Sequence, residues 1–185
     1  MATAPKPARY EDLLALPENV IGQIVDGVLH AHPRPATPHA LAASGLGEEL
    51  GPPFKRGKGG PGGWIIIDEP ELHPRADVLV PDLAGWRRER MPETPIAPFL
   101  TLSPDWLCEV LSPSTASFDR KKKLPIYARE GVRHVWIVEP ETKTLEVLRL
   151  DGDSYRIAIV GSDDDKGRYE PFDAIELDLS ILWAR

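Results

Sequence analysis

A chain of 185 residues, 42% hydrophobic and 28% charged, is long enough to bury one substantial core and short for two. Its formal net charge of −7 excludes a protein that holds nucleic acid by overall positive potential, so any such contact needs a local patch, either Lys55-Arg56-Gly57-Lys58 or Arg120 to Lys123. The lone cysteine, Cys108, excludes a disulfide framework, a thiolate zinc site and a CxxC redox pair.

No apolar run approaches the about 20 residues that cross a bilayer, and Met1 to Arg9 lacks the apolar middle of a secretion signal. The expectation is a cytoplasmic protein with a flexible arm over residues 1–9 and one domain over 10–185. Tyr10 to Leu16 reads as a short helix before Pro17. In IGQIVDGVLHAHP, Asp26-Gly27 is a two-residue hairpin turn between alternating segments. ATPHALAASGLGEELG reads as a helix with Thr37 as its cap, Pro38 in its first turn and Gly51 past its end; the Gly- and Pro-rich run from Pro52 to Gly63 reads as a mobile basic loop. Strands follow at Trp64 to Asp68, Asp77 to Trp86 and Asp105 to Leu111. A helix is expected around Ser117 to Glu130, stopped by Gly131. VRHVWIVEP, TLEVLRL and SYRIAIV then form a meander, and AIELDLSILW closes the chain as an edge strand and turn. Strand, helix and strand across residues 105–138 imply a right-handed crossover and one parallel pair inside an otherwise antiparallel set. The fold class is therefore α/β (α+β), a mixed central sheet flanked by helices.

Two of these strands are each broken by one acid: DVLVPDLAGW by Asp82 and DWLCEVL by Glu109. A lone buried carboxylate costs several kcal/mol unless it is paired, hydrogen-bonded or bound to a cation. Pro81 cannot donate a ladder bond and marks an irregularity beside Asp82. If the strands are neighbours, the two acids can share a hard divalent cation, Mg²⁺ or Mn²⁺, which keeps waters and accepts a phosphate oxygen. A water made more acidic by the ion would attack. The blander alternative is that Asp82 caps a turn and Glu109 pairs with a lysine or arginine for stability. Asp119, Lys123 and Tyr127 are spaced four apart, which on a helix lines them on one face with a drift of about 40° per step. A lysine there can stabilise charge developing on a phosphate, although Pro125 leaves the phase from Lys123 to Tyr127 open.

VPDLAGW, PDWLCEVLSPST and FDRKKKLPIYAREGVRHVWIVEP together resemble the Uma-two family of restriction-endonuclease-like proteins, within the PD-(D/E)xK nuclease superfamily. The resemblance runs from Tyr10 to about Tyr155 and is most specific over 105–140. It implies a restriction-endonuclease-like core in which Asp82 and Glu109 are metal ligands and catalytic, and an endonuclease acting on DNA with Mg²⁺ or Mn²⁺. The superfamily's lysine usually lies two residues after the second acid, where this chain has Leu111. In this family it has moved to the following helix, which matches Lys123, with Asp119 and Tyr127 as companions. Gln23 stands where the family's first hairpin carries an acid, and an amide brings no negative charge to a cation. His39 matches a histidine often seen at its helix start, although a lone histidine there is more commonly a cap or surface group.

Other signals point to no chemistry. KRGKGGPGG lacks the GK[ST] ending of a phosphate loop. His30 and His32 alternate on a strand without a third ligand for zinc. Cys108 falls on the face opposite Glu109 and reads as core. The chemistry thus points to a DNA endonuclease, which as a two-strand cutter would work as a homodimer. Its rivals are a catalytically idle binding or regulatory module on the same fold, and a hydrolase of small phosphorylated compounds.

Overall fold

The structure, a computed structural model, describes residues 6–183. Its centre is a six-stranded sheet in which neighbours in space are neighbours in sequence: β3 (Trp64–Asp68), β4 (Leu83–Arg87), β5 (Trp106–Val110), β6 (His134–Glu139), β7 (Thr144–Asp151) and β8 (Ser154–Ser162). All pairs are antiparallel except β5 with β6, where the helical crossover makes the expected parallel pair. Outside the sheet stand a short helix, α1 (Tyr10–Leu14), a hairpin of β1 (Val20–Val25) and β2 (Val28–Pro33), and the long helix α2 (Thr37–Leu50). The hairpin turns on Asp26 and Gly27, whose φ of 52° and 74° are the left-handed values a two-residue turn requires.

Both faces of the sheet are covered, which is why its middle strands read as nearly unbroken apolar runs. On one face Trp64, Ile66, Trp106, Cys108, Trp136 and Val147 pack against Ala42, Leu46 and Leu50 of α2, against Phe54, and against Phe172, Leu177 and Leu179. On the other, Ile65, Trp86, Leu107, Val135, Ile137 and Leu148 meet Ile126 and Tyr127 of the crossover together with Leu72, Leu79 and Leu100. Alternation along β5 therefore puts Cys108 in the first layer, as expected, and Glu109 on the same side as Leu107, facing the crossover.

Several boundaries differ from the sequence expectation. The cap of α2 is Ala36 with no side-chain bond, not Thr37, which is already helical. Gly51 does not end that helix: Gly51–Lys55 continues as a wide π turn in which the Arg56 N–H reaches the Gly51 carbonyl. A π turn spends one extra residue and tolerates Pro52 and Pro53, which have no N–H to offer. The following segment is tied down by the Lys58 and Gly62 N–H groups on Pro52 and Pro53, so Pro52–Gly63 is not a free loop. The expected Asp77-to-Trp86 strand joins the sheet only from Leu83 onward, as Leu83–Arg87. The part before Pro81 instead bridges the hairpin, Val78 exchanging both backbone bonds with Ile24. Of the expected arm, residues 1–5 lie outside the described residues, whereas the Ala8 N–H is held by the Gly27 carbonyl.

Gly85 is the close-packed point of β4, because a Cβ there would stand 3.1 Å from the Trp106 ring and 3.2 Å from the Trp64 ring. Gly85→Val is expected to cost about 1–3 kcal/mol, measured as a lower urea midpoint with an unchanged slope.

Candidate active site

β5 ends at Val110 and the chain turns through Ser112–Thr115 into the crossover, while β4, running the other way, begins beside that end. The Asp82 carboxylate locks the two strands: Oδ2 accepts the Val110 N–H at 2.7 Å, and Oδ1 lies 3.1 Å from His39 Nε2 on α2. His39 is thus buried and paired; the expected cap or surface position is not where it sits. The neighbouring acid faces a cation. Lys123 Nζ lies 2.7 Å from the Glu109 carboxylate, and the Tyr127 hydroxyl donates to Glu109 Oε1 at 2.5 Å. Lys123 also meets Asp119 Oδ1 at 3.2 Å and the Val80 carbonyl at 3.3 Å.

The crossover explains how three residues four apart reach one place. It is Ala116–Phe118 (α3), then a π turn over Asp119–Lys123, then Leu124–Arg129 (α4). The extra residue of the π turn takes up the drift of a regular helix, so Asp119, Lys123 and Tyr127 all stay turned toward β5. Pro125 falls in the first turn of α4, where its missing N–H breaks nothing. Gln23 enters from β1, its Oε1 accepting the Val80 N–H at 3.0 Å. The Val80 peptide is therefore clamped at both ends, by Gln23 and by Lys123. Arg120 to Lys123 is not a basic patch, since Arg120 pairs with Glu146 and Lys123 points inward.

Gln23, His39, Asp82, Glu109, Asp119 and Lys123 all line one cavity of about 320 Å³. Every site residue expected from the sequence is brought to it except Tyr127, which stands behind Glu109. Sequence reasoning missed Val80, whose role is carried by its backbone and leaves no mark in residue type. The electrostatics are those of a crowded, dry site. Burial pushes the Glu109 carboxyl up to about 8, Lys123 opposing and the charges of Asp119 and Asp82 adding to the rise. Burial alone would lower Lys123, but Glu109 and Asp119 outweigh it and hold the ammonium above its ordinary value. Burial raises the Tyr127 hydroxyl well above its usual range. Burial lowers His39, but the hydrogen bond and charge of Asp82 together with the charges of Asp119 and Glu69 outweigh it and hold the imidazole above its ordinary value.

Among the described residues no three His, Cys, Asp or Glu side chains enclose a metal by themselves. The donor set nevertheless suits a hard, water-rich cation: three carboxylates line the cavity against one ammonium. A carboxyl whose folded value lies above its ordinary 4.5 stabilises the fold fully below that value, and the contribution is lost as pH rises toward about 8. Without divalent cations, the urea midpoint should fall between pH 5 and 8. Glu109→Gln should flatten this fall, and an unchanged slope in the variant would show that Glu109 is not its source.

The fold and the family agree with this geometry. A solved structure, a "putative nuclease belonging to DUF820" from Anabaena variabilis ATCC 29413, superposes with a TM-score of 0.76 at 21% identity, covering 95% of this chain and 97% of its own. That likeness gives the fold, a mixed central sheet with helices packed on it. No curated protein matches the sequence. Residues 8–181 match the family Uma2, "Putative restriction endonuclease", and the chain belongs to that family.

Proposed function

We propose that the protein is a divalent-cation-dependent endonuclease that hydrolyses phosphodiester links in DNA. The observation that carries it is the convergence on one cavity of Asp82 and Glu109, from adjacent strands, with a buried lysine on the second acid. Family membership supports nuclease chemistry.

Asp82 and Glu109 would hold Mg²⁺ or Mn²⁺, which when bound supplies Lewis-acid stabilisation of the phosphoryl oxygens and makes water a better nucleophile at neutral pH. His39 fixes one oxygen of Asp82 and leaves the carboxylate little freedom to rotate. Tyr127 does the same for Glu109. The Lys123 ammonium sits where negative charge grows on the phosphate as water adds and the 3′ or 5′ oxygen leaves. At so buried a position such a charge acts at low dielectric. Asp119 and the Val80 carbonyl keep that ammonium in place, and Gln23 steadies Val80. Cutting both strands of a duplex would take two such sites in a two-fold homodimer.

The idle binding module is favoured by one observation: Lys123 is 2% exposed and already occupied by three oxygen acceptors, as in a purely structural ion pair. Cleavage of plasmid and linear DNA with and without Mg²⁺ or Mn²⁺ separates the two. The expected outcome is metal-dependent cutting, lowered at least about 100-fold in Asp82→Ala, Glu109→Gln and Lys123→Ala, each checked for folding by circular dichroism. Gln23→Glu should tighten the metal about tenfold or more, read by calorimetric titration. If neither the parent nor Gln23→Glu cuts any DNA with either metal, the binding module is the better account.

A further inference from the structure

Part of the cavity lining takes no role in the steps above. His32 and Arg34, at and just after the end of β2, share the cavity with Ser112, Ser114 and Thr115 of the turn that follows β5. Exposure sorts floor from mouth: Glu109 and Lys123 are each 2% exposed, whereas Arg34 and Ser114 are open to solvent.

Three features of this mouth point to a ligand. The first is a hydroxyl chain, Ser112 Oγ lying 3.0 Å from both Ser114 Oγ and Thr115 Oγ1. Hydroxyls rotate between donating and accepting, so such a chain can turn protons toward an anion without breaking the fold. The second is His32 Nε2, a buried ring nitrogen with no hydrogen-bond partner among the described residues. Its ring is held in place, 5.1 Å from Phe118 and parallel to His30, so the orphan atom is not a floppy surface group. An unpaired buried polar group is costly, and a ligand that reaches it relieves that cost. The third is Arg34, whose guanidinium makes one long hydrogen bond among the described residues, 3.4 Å to the Glu18 carbonyl.

The charges fit a chain with spaced phosphates. At the floor, three carboxylates against one ammonium leave room for a divalent cation, and that end handles one phosphate. Arg34 adds a second positive group at the mouth, apart from the first. A phosphomonoester concentrates its charge at one point and leaves the mouth unused. A phosphodiester chain offers one charge per link, and planar guanidinium suits the second.

We propose that Arg34, His32 and the hydroxyls of Ser112, Ser114 and Thr115 form a subsite for the phosphate next to the scissile one, so that the cavity accepts a nucleic-acid chain with at least two successive phosphates. It rests on the nuclease proposal only for which phosphate is cut. Recognition of the second phosphate is a matter of binding and is testable without cleavage.

The test uses fluorescein-labelled single-stranded hexanucleotides with Mg²⁺ present, in which one link at a time is replaced by a neutral methylphosphonate. Binding is read by anisotropy and cleavage by gel, with bis-p-nitrophenyl phosphate as a substrate that has no second phosphate. One neutral link should weaken binding to the parent about tenfold, as expected for a hydrogen bond to a charged group. In Arg34→Ala the same replacement should cost almost nothing more, the non-additivity that marks a direct contact. Arg88→Ala, at an exposed arginine outside the cavity, keeps the parent's sensitivity. Where cleavage is seen, Arg34→Ala should lose at least ten times more activity on the hexanucleotide than on the small diester. Losses that simply add, or equal losses on the two substrates, overturn the subsite while leaving the nuclease proposal standing. Coupled binding without any cleavage sinks the nuclease proposal and leaves the subsite. Absence of binding to every oligonucleotide overturns the subsite outright.

Discussion

An ammonium and a carboxylate are sealed together between the sheet and its crossover, and the site depends on that pair. Lys123 and Glu109 have side chains 2% and 3% exposed. Removing either charge from water costs several kcal/mol, and mutual attraction repays this only where the remaining protons and lone pairs also find partners. They do. The three protons of the ammonium have three acceptors in Glu109, Asp119 and the Val80 carbonyl, and Tyr127 adds a donor to Glu109. A pair so fully bonded costs the fold little as long as it is intact, and much once one member is lost.

That requirement reaches into the backbone. To put Asp119, Lys123 and Tyr127 against one strand, the crossover has to abandon the regular helix for one wide turn. To present the Val80 carbonyl, the chain before β4 has to leave the sheet, which Pro81 and the docking of Val78 on the hairpin bring about. The irregularities gathered around this cavity are the local cost of solvating a buried lysine with protein atoms in place of water.

This also separates what could be read in the sequence from what could not. Glu109 between Leu107-Cys108 and Val110-Leu111, and Asp82 after Pro81, are legible because a charge in an apolar strand needs a reason. The parallel pair, the hairpin on Asp26-Gly27 and the meander of the last three sheet strands follow from periodicity and turn chemistry. The π turns at Gly51–Lys55 and Asp119–Lys123 do not: GPPFK reads as the end of a helix and DRKKK as ordinary helix, and the extra residue of each turn is imposed by tertiary contacts. Thr37 looked like a cap because threonine often is one, yet α2 begins one residue earlier and carries no side-chain cap. His39 shows the same limit from the other side. Nothing in PATPHA says that its imidazole will meet an aspartate more than forty positions away in the chain.

Gln23 is best understood through charge. Toward Val80 an amide oxygen does what a carboxylate oxygen would, so the hold on the Val80 N–H needs no acid at position 23. What changes is the field in the cavity. With Asp82, Glu109 and Asp119 set against Lys123, a divalent cation brings the floor to formal neutrality. A fourth acid at position 23 would leave it negative. If the cavity takes a divalent cation as proposed, the glutamine would weaken the grip on it and, by the same step, lower the repulsion that a loaded site exerts on an incoming phosphate. An acid at this place would favour holding the ion and an amide admitting the anion, so on that proposal the residue would set how binding free energy divides between cofactor and substrate.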